Sequence, residues 1–349
     1  MEGNGSRPVT VRYAVFMIGA ATFAHAQWMM QQSHSNAGLR GIYNVGAGVV
    51  WASGTQGTVL HTTDDGKTWQ HCAVPPGADK LDFRGIQGFD RNIAVVMSSG
   101  TGDLSRLYKT SDGCRTWKLV FRNPDKNGFW DALQFSGPKL GVLIGDQVKG
   151  RFPVFISTDE GNTWRRFDAK GLAASDKKQS FFAASNTSLL VDGSAQNFYM
   201  LTGGGTTALI TIDLHSNAVS YTHPDLASGE TAGGFSLASR RKGSDLIIVA
   251  VGGDYKAPAQ TTGTAASFIH GKWQASKTPP HGYRSAVAYS ASSHAWITVG
   301  PNGTDISMDD GRNWRAIPDG NQNWNALSLP FAAGANGRIG KLNPDVLKP

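Results

Sequence analysis

An octapeptide that recurs four times constrains the fold of this chain more than any other feature. Its copies are Thr62-Thr-Asp-Asp-Gly-Lys-Thr-Trp69, Thr110-Ser-Asp-Gly-Cys-Arg-Thr-Trp117, Ser157-Thr-Asp-Glu-Gly-Asn-Thr-Trp164 and Ser307-Met-Asp-Asp-Gly-Arg-Asn-Trp314. The third residues are 48, 47 and 150 residues apart, and the longest interval leaves room for two degenerate copies. Thr211-Ile-Asp213 and His270-Gly-Lys-Trp273 each retain half of the motif. A fixed period of this length is typical of a fold built from repeated supersecondary units.

The chemistry of the octapeptide is structural. Its Asp carboxylate can accept hydrogen bonds from backbone N–H groups of its own turn, and its Gly permits a positive φ. Its Trp can bury a large ring between neighbouring sheets. The residues predicted to have these roles are Asp64, Gly66, Trp69, Asp112, Trp117, Asp159, Gly161, Trp164, Asp309, Gly311 and Trp314.

Two further repeats predict short strands joined by tight turns. Trp51-Ala-Ser-Gly-Thr-Gln-Gly-Thr resembles Trp296-Ile-Thr-Val-Gly-Pro-Asn-Gly-Thr, a strand, a glycine hairpin and a second strand. An opening motif begins five of the units, as Leu39-Arg40-Gly-Ile, Phe83-Arg84-Gly-Ile, Trp130-Asp131-Ala-Leu, Tyr283-Arg284-Ser-Ala and Trp324-Asn325-Ala-Leu. Gly accounts for 43 of 349 residues and Glu for three, a composition that disfavours helices.

These repeats predict an all-β fold, a seven-bladed β-propeller. The last unit has only three strands, and the segment around Trp28 supplies a candidate for its missing outer strand. Such a 3+1 closure would pair the two chain ends and remove the open sheet edges. The alternative is a six-bladed ring with a loose tail. The predicted blades span about 38–75, 82–121, 129–167, 178–222, 232–277, 283–317 and 323–343 plus 27–33.

The first 26 residues predict a secretory signal peptide. Arg7 and Arg12 precede a ten-residue apolar run, and Ala24-His25-Ala26 forms a small-x-small cleavage site. We therefore expect cleavage near Ala26, a mature domain of residues 27–349, and a periplasmic or secreted location. No later run is long enough to predict a transmembrane segment in the mature chain.

Export would expose Cys72 and Cys114 to an oxidising compartment, in which they could form one bridge, but we expect them to remain unpaired. The repeat places them at opposite ends of their blades, a separation that argues against a disulfide.

The Leu-Arg-Gly-Ile opening, the Gly-x-x-Gly-Thr hairpin and the Thr-x-Asp-x-Gly-x-Thr-Trp octapeptide resemble the photosystem II stability/assembly factor family, in which the octapeptide is called the Asp box or BNR repeat. Val251-Gly-Gly-Asp-Tyr255 is similar to the family's secreted bacterial branch. The resemblance covers essentially the whole mature chain. It implies a non-enzymatic assembly factor with an Arg-rich protein-docking surface on one face of the propeller.

The resemblance places this surface where the innermost strands begin, at the opening of the central channel. The cations there would bind an acidic or carboxylate-bearing segment of a protein partner, and the aromatic rings would act as apolar anchors. Alternatively, the arginines satisfy backbone carbonyl groups near the channel. We expect a monomer with no cofactor and no metal. The residues predicted to bind the partner are Arg40, Arg84, Trp130, Asp131, Tyr283, Arg284, Trp324 and Asn325.

Glycoside hydrolysis is the main alternative function, because Asp boxes also occur in sialidases and other exo-glycosidases. Arg40, Arg84 and Arg284 would imitate the sialidase Arg triad. The remaining candidates are Tyr255 or Tyr283 as nucleophile, Glu230 as its partner, and Asp131 with Asp254 as the facing carboxylates of an ordinary glycosidase.

Other functions have weaker signals. The formal net charge is +7, but no basic run exceeds Arg240-Arg241-Lys242, and secretion argues against a nucleic-acid partner. The nine His residues form no His-x-x-x-His pair, so no zinc site is indicated.

Overall fold

The computed structural model describes residues 1–2, 5, 27–318 and 322–347. The predicted signal peptide and its cleavage site at Ala26 lie outside the described residues, apart from three positions near its start. In the described part, 28 strands form seven four-stranded antiparallel sheets, and two short 3-10 helices lie outside the sheets. None of the helices within these ranges is long and apolar enough to span a bilayer.

The first strand, β1 (Trp28–Gln31), belongs to the last blade, and the next sixteen strands form blades 1 to 4 in chain order. Blade 1 contains β2 (Leu39–Gly46), β3 (Val49–Gly54), β4 (Val59–Thr62) and β5 (Gln70–His71). Blade 2 contains β6 (Phe83–Gly88), β7 (Ala94–Ser98), a 3-10 helix (Gly102–Leu104), β8 (Arg106–Thr110) and β9 (Lys118–Arg122). Blade 3 contains β10 (Trp130–Phe135), β11 (Gly141–Gly145), β12 (Val154–Ser157) and β13 (Arg165–Arg166). Blade 4 contains β14 (Leu189–Asp192), β15 (Asn197–Leu201), β16 (Leu209–Asp213) and β17 (Val219–Thr222).

The remaining three blades complete the ring. Blade 5 contains β18 (Ala232–Lys242), β19 (Asp245–Asp254), β20 (Ala265–Ile269) and β21 (Lys272–Ala275). Blade 6 contains β22 (Ala286–Ser290), β23 (Ala295–Gly300), β24 (Gly303–Ser307) and β25 (Arg315–Ile317). Blade 7 contains β26 (Trp324–Ser328), β27 (Phe331–Gly334), β28 (Ile339–Leu342) and β1, and a 3-10 helix (Pro344–Leu347) follows.

The two ends of the chain close the ring in blade 7. Strand β1 pairs antiparallel with β28, with Trp28 opposite Leu342 and Gln31 opposite Ile339. The Trp28 ring also packs against that of Trp324, with the centroids 5.0 Å apart. The predicted seven-bladed propeller with 3+1 closure is therefore confirmed.

Each octapeptide forms the turn between the third and fourth strands of its blade. In blade 1, Asp64 accepts hydrogen bonds from the backbone N and the Oγ1 of Thr68, at 2.9 and 2.6 Å. Asp112, Asp159 and Asp309 bind the residue four positions later in the same way. The rings of Trp69 and Phe331 of blade 7 pack edge to face, with their centroids 6.5 Å apart. The octapeptide therefore closes its own hairpin and also packs against the preceding blade.

The expectation that the cysteines are unpaired was wrong. Cys72 and Cys114 form a disulfide, with their Cα atoms 5.2 Å apart. Strand β5 begins directly after the octapeptide of blade 1 and is only two residues long, so Cys72, which follows it, lies near the octapeptide turn. Cys114 lies in the turn of blade 2, which packs against the outer edge of blade 1, where Ala73 N donates to Cys114 O at 3.2 Å. The two cysteines are thus far apart in the repeat but adjacent across the interface between two blades.

The inner strands of five blades each carry a β-bulge near the face on which they begin. The residue that the bulge leaves without a partner across the sheet is Arg40 in β2, Arg84 in β6, Asp131 in β10, Phe235 in β18 and Asn325 in β26. A bulge bends the strand and re-aims the extra side chain, and bulges are frequent beside functional sites. These bulges therefore determine which side chains are turned away from the packing between sheets at the centre of the ring.

Candidate functional site

A cavity of about 450 Å³ opens at the centre of the ring, on the face where the inner strands begin. We call it the mouth. Four of the five bulged side chains line it, and only that of Asp131 does not. Its principal side chains are Arg40, Arg84, Phe182, Phe235, Tyr255 and Tyr283.

Arg40 is the cation of the mouth that has no partner in the described part of the chain. Its side chain is half-buried, and among the described residues none forms a hydrogen bond or an ion pair with its guanidinium. Burial and the neighbouring Arg84 lower the pKa of Arg40, whereas Asp82 and Tyr283 act in the opposite direction. A guanidinium that is desolvated without a partner costs free energy, and a bound carboxylate would recover it.

Arg84 is held by the protein itself. Its Nε donates to Asp82 Oδ2 at 2.8 Å, and its Nη1 donates to the Ala183 carbonyl of blade 4 at 3.2 Å. Ala183 belongs to segment 182–188, which precedes β14. In this segment, Asn186 exchanges two hydrogen bonds of 2.7 Å with the backbone of β10. The alternative prediction, that these arginines satisfy backbone carbonyls, therefore describes Arg84 but not Arg40.

Blade 3 contributes two neighbouring carboxylic acids, the buried Asp131 and the half-buried Asp146. Asp131 is 1% exposed, and its Oδ2 has no hydrogen-bond partner among the described residues. Burial and the neighbouring Asp146 raise the pKa of Asp131, and Arg84 opposes this change. Burial also raises the pKa of Asp146 to about 6, although Phe181 N donates to Asp146 Oδ1 at 2.9 Å. Asp131 was predicted to bind a partner, but burial places it behind the surface of the mouth.

Blades 4 to 6 supply an aromatic wall, of which the sequence analysis predicted only Tyr283 as a partner-binding residue. The rings of Phe182 and Phe235 are stacked, with centroids 4.0 Å apart and planes 2° apart. Tyr255 packs edge-on against both rings, at 6.1 and 6.3 Å, and Tyr283 packs edge-on against Phe235 at 4.7 Å. We call these four residues the aromatic group. Tyr255, which directly follows β19, remains 45% exposed at the mouth. In the sequence, Tyr255 had been singled out as the last residue of the Val251-Gly-Gly-Asp-Tyr255 motif and as a candidate nucleophile.

Arg284 does not line the mouth, which corrects its predicted role. The alignment of the opening motif was one residue out of register in blade 6. Gly300 packs against the carbonyl of Tyr283 in the way that Gly54 packs against that of Gly38. Arg284 is therefore equivalent to the buried Leu39, while Ser285, which lines the mouth, is equivalent to Arg40. Because side chains alternate along a strand, a slip of one residue exchanges the two faces.

The guanidinium of Arg284 is satisfied in the interior. Its Nε donates to Asp305 Oδ2 at 2.7 Å, its Nη2 donates to the same oxygen, and its Nη1 donates to Asn302 Oδ1 at 2.7 Å. The side chains of Arg284 and Asp305 are 0% and 2% exposed. The pair therefore stabilises blade 6 rather than binding a partner.

The predicted tryptophan anchors also belong to the core. Trp130 and Trp324 are fully buried, because they occupy the position immediately before the bulge. The Trp130 ring stacks on Phe121 at 5.3 Å, and Trp324 forms part of the floor of the mouth. Tyr283 and Asn325 do line the mouth, and Asn325 Nδ2 donates to the carbonyl of Leu39 at 2.8 Å.

The glycosidase candidates are engaged in local contacts. Glu230 Oε2 accepts a hydrogen bond from Lys178 Nζ at 3.1 Å, and Asp254 Oδ1 accepts one from Thr231 Oγ1 at 2.8 Å. Burial strongly raises the pKa of Tyr283. With Arg284 in the interior, the three arginines do not converge as a triad. Within the described ranges, no group of three or more His, Cys, Asp or Glu side chains is arranged to hold a metal ion.

A larger cavity, of about 530 Å³, lies beside blade 3 and away from the mouth. Two of its cations, Arg166 and Arg151, are paired with Asp125 and Asp168, at 2.7 and 3.0 Å. Because the side chain of Arg151 is largely exposed and already paired, we use Arg151 below as a control position.

Comparisons with known proteins identify relatives in fold. No protein-family profile matches the sequence, and no curated protein matches it. Among solved structures, "YCF48 bound to D1 peptide" is 14% identical with a TM-score of 0.63, covering 92% of this chain and 98% of that one. YCF48 from Cyanidioschyzon merolae is 18% identical with a TM-score of 0.64, covering 92% and 100% of the two chains.

A glycoside hydrolase shares the same fold. The GH74 xyloglucanase from Xanthomonas campestris is 14% identical, with a TM-score of 0.63 over 91% of this chain and 54% of that one. At these identities the similarity shows a common β-propeller fold. The fold is shared by a peptide-bound propeller and by a xyloglucanase, so function must be argued from the mouth itself.

Proposed function

We propose that this chain is a non-catalytic propeller that binds a protein partner at the mouth, through a carboxylate-bearing segment of that partner. The observation that carries the proposal is Arg40, a half-buried guanidinium in the central cavity with no acceptor among the described residues. The planar fork of an Arg side chain matches the two oxygens of a carboxylate. A bound carboxylate would satisfy the donors that the fold leaves free.

The architecture and one structural relative support this proposal. A closed ring of seven sheets fixes the backbone of the inner strand that carries Arg40, so binding does not have to order this backbone. YCF48, which has the same fold, has been captured with a D1 peptide. Because of this shared fold, the specific function that we propose is a role like that of a photosystem II assembly factor.

An array of immobilised decapeptides tests this function. Each peptide is present in an acidic form and in a matched form with Asn and Gln in place of Asp and Glu. We expect the purified protein to select acidic members. Arg40→Ala should weaken selected peptides at least about tenfold, the equivalent of one lost charge-assisted contact. Arg151→Ala, at an exposed arginine beside blade 3, is the matched control. Equal binding of acidic and amide forms, or an unaffected Arg40→Ala variant, would contradict the proposal.

A glycan ligand is the alternative, and the exposed ring of Tyr255 together with the xyloglucanase fold relative favours it. In that case the mouth would bind or cleave a saccharide as a sialidase-like exo-glycosidase or a lectin-like propeller. Release of the fluorophore from a fluorescent sialoside or xyloglucan oligosaccharide by the purified protein would establish hydrolysis. Binding of such saccharides without release, in preference to acidic peptides, would establish a glycan-binding propeller.

We further propose that the chain is exported and acts in the periplasm or outside the cell as a monomer. The disulfide between Cys72 and Cys114 supports export, because disulfides persist in oxidising compartments. The mass of the mature protein from the native host checks the proposal, since cleavage near Ala26 leaves a chain that begins at Gln27. An uncleaved cytoplasmic chain would contradict it.

A further inference from the structure

The mouth has two chemically different halves. Blades 1 and 2 contribute Arg40 and Arg84, whereas blades 4 to 6 contribute the aromatic group. A ligand that used Arg40 alone would leave the exposed ring of Tyr255 in water beside it. Because both halves line one cavity of about 450 Å³, a single short segment can contact both.

We infer that the mouth is a two-part site, in which Arg40 takes the carboxylate of a peptide segment and Phe182 with Tyr255 takes an apolar side chain next to it. This inference rests on the proposed function and adds to it the class of sequence that the partner presents. The site therefore selects an acidic residue flanked by an aliphatic or aromatic residue, rather than acidity in general.

The aromatic half is rigid and partly open. Phe235 is 2% exposed and supports Phe182 from behind by stacking at 4.0 Å. Phe182 is itself half-buried, and Tyr255 is 45% exposed while resting edge-on against both rings. Aromatic side chains held in place by one another lose little entropy on binding, and covering their exposed surface is favourable in proportion to its area.

The charges of the mouth favour a ligand with one negative charge. Arg84 is already paired with Asp82, with Arg84 Nε and Asp82 Oδ2 2.8 Å apart. Of the two arginines that line the mouth, Arg40 has no ion pair with any described residue. A phosphate group, with close to two charges, would have one charge unbalanced beside Asp82, whereas a carboxylate is balanced by Arg40 alone.

Segment 182–188 is held firmly beside the mouth. Its hydrogen bonds reach three other blades, through Arg84 in blade 2, the backbone of β10 in blade 3, and Leu237 N, which donates to Thr187 O at 2.9 Å, in blade 5. Three residues of the segment line the cavity, Phe182, Ala183 and Ala184, so these hydrogen bonds fix the wall that Phe182 provides.

Four labelled hexapeptides test the inference by titration against the purified full chain. They carry Phe-Asp, Gly-Asp, Phe-Asn or Phe-phosphoserine at the central two positions of an otherwise Gly-Ser sequence. We expect Phe-Asp to bind at least about tenfold more tightly than Gly-Asp, the effect of burying one large apolar side chain. We expect Phe-Asn and Phe-phosphoserine to bind more weakly than Phe-Asp.

Variants separate this inference from the proposed function. Tyr255→Ala should abolish the preference for Phe-Asp over Gly-Asp, whereas Arg40→Gln should weaken every peptide that carries Asp. Leu104→Ala is the matched control, since Leu104 is an exposed apolar side chain elsewhere, 53% exposed. Equal binding of Phe-Asp and Gly-Asp, with dependence on Arg40, would overturn the two-part site and leave the proposed function intact. If the wild-type protein binds Phe-Asp no more tightly than Phe-Asn, both the two-part site and the proposed function are overturned. If the phosphoserine peptide binds more tightly than Phe-Asp, the assignment of a single charge is overturned.

Discussion

Arg284 and Asp305 form an ion pair inside blade 6, with both side chains almost completely removed from water. Arg284 Nε lies 2.7 Å from Asp305 Oδ2, and the exposed fractions of the two side chains are 0% and 2%. Removal of one partner from a buried pair leaves an uncompensated charge, which costs far more than the net contribution of the pair itself. The position that is Leu, Phe or Trp in the other opening motifs is thus occupied by a charged residue whose partner lies on β24.

Asp305→Ala should therefore lower the free energy of unfolding by about 3–5 kcal/mol, because Arg284 would be left buried and charged. Urea denaturation at neutral pH measures this change. The double variant Arg284→Leu, Asp305→Leu serves as the control and should recover most of the loss, since it removes both charges and restores an apolar residue. An Asp305→Ala variant within about 0.5 kcal/mol of the wild type would contradict the assignment of a buried charge.

The disulfide between Cys72 and Cys114 should contribute strongly to stability. The bridge closes a loop with a sequence separation of 42 residues. In the chain-entropy description, a loop of this length stabilises the folded state by about 4 kcal/mol. Reduction with dithiothreitol should lower the melting temperature of the wild type. The Cys72→Ser, Cys114→Ser variant should melt at the lower temperature and no longer respond to the reductant; a response in that variant would mean that the reductant acts elsewhere.

The octapeptide aspartates should make the fold sensitive to acid. Hydrogen bonds from the side chain and then the backbone of the residue four positions later, Thr68 and Thr116, lower the pKa of Asp64 and Asp112 from 3.8 to about 2. A lowered pKa stabilises the folded state above the unfolded-state value, and that contribution disappears as the pH falls from about 4 to about 2. Asp64→Asn with Asp112→Asn should reduce the slope of stability against pH in this window. An unchanged slope would show that these carboxylates do not carry the acid sensitivity.

The half-buried Asp146 of blade 3 should have the opposite pH dependence. Burial raises the pKa of Asp146 from 3.8 to about 6, so the folded state binds the proton more tightly than the unfolded chain does. The folded state therefore loses stability as the pH rises from about 4 to about 6. Asp146→Asn keeps an acceptor for Phe181 N and should remove this loss, which makes the variant more stable than the wild type at pH 7. Denaturation midpoints between pH 4 and 7 check this, and a variant less stable than the wild type at pH 7 would contradict it.

The architecture was readable in the sequence because its signals are local. The octapeptide contains the acceptor, the glycine and the ring that its turn needs within eight residues, so its copies mark the blades directly. The closure was also predictable, because three strands after Asn323 lacked a fourth and the segment at Trp28 could supply it. These inferences required only a count of repeats and the cost of an open sheet edge.

The site was predicted only in part, because its geometry depends on register and on contacts between blades. Arg40 and Arg84 were assigned to the mouth, but the bulges that release them cannot be read from one strand alone. In the sequence analysis, an error of one residue in the register of blade 6 placed Arg284 on the side that faces the channel. The same uncertainty of register in blade 5 left Phe235 unidentified. Phe182 and Tyr255 meet only after blades 4 and 5 are packed together.

The sequence by itself determined the number of blades, their turns and the way the ring closes, since each of these follows from residues near one another in the chain. Only the tertiary structure decided which polar side chains face the channel, that Cys72 reaches Cys114, and that Arg40 finds no partner among the residues that the structure describes. Those properties arise between strands and between blades, where residues far apart in the sequence compete for the same space and the same hydrogen bonds.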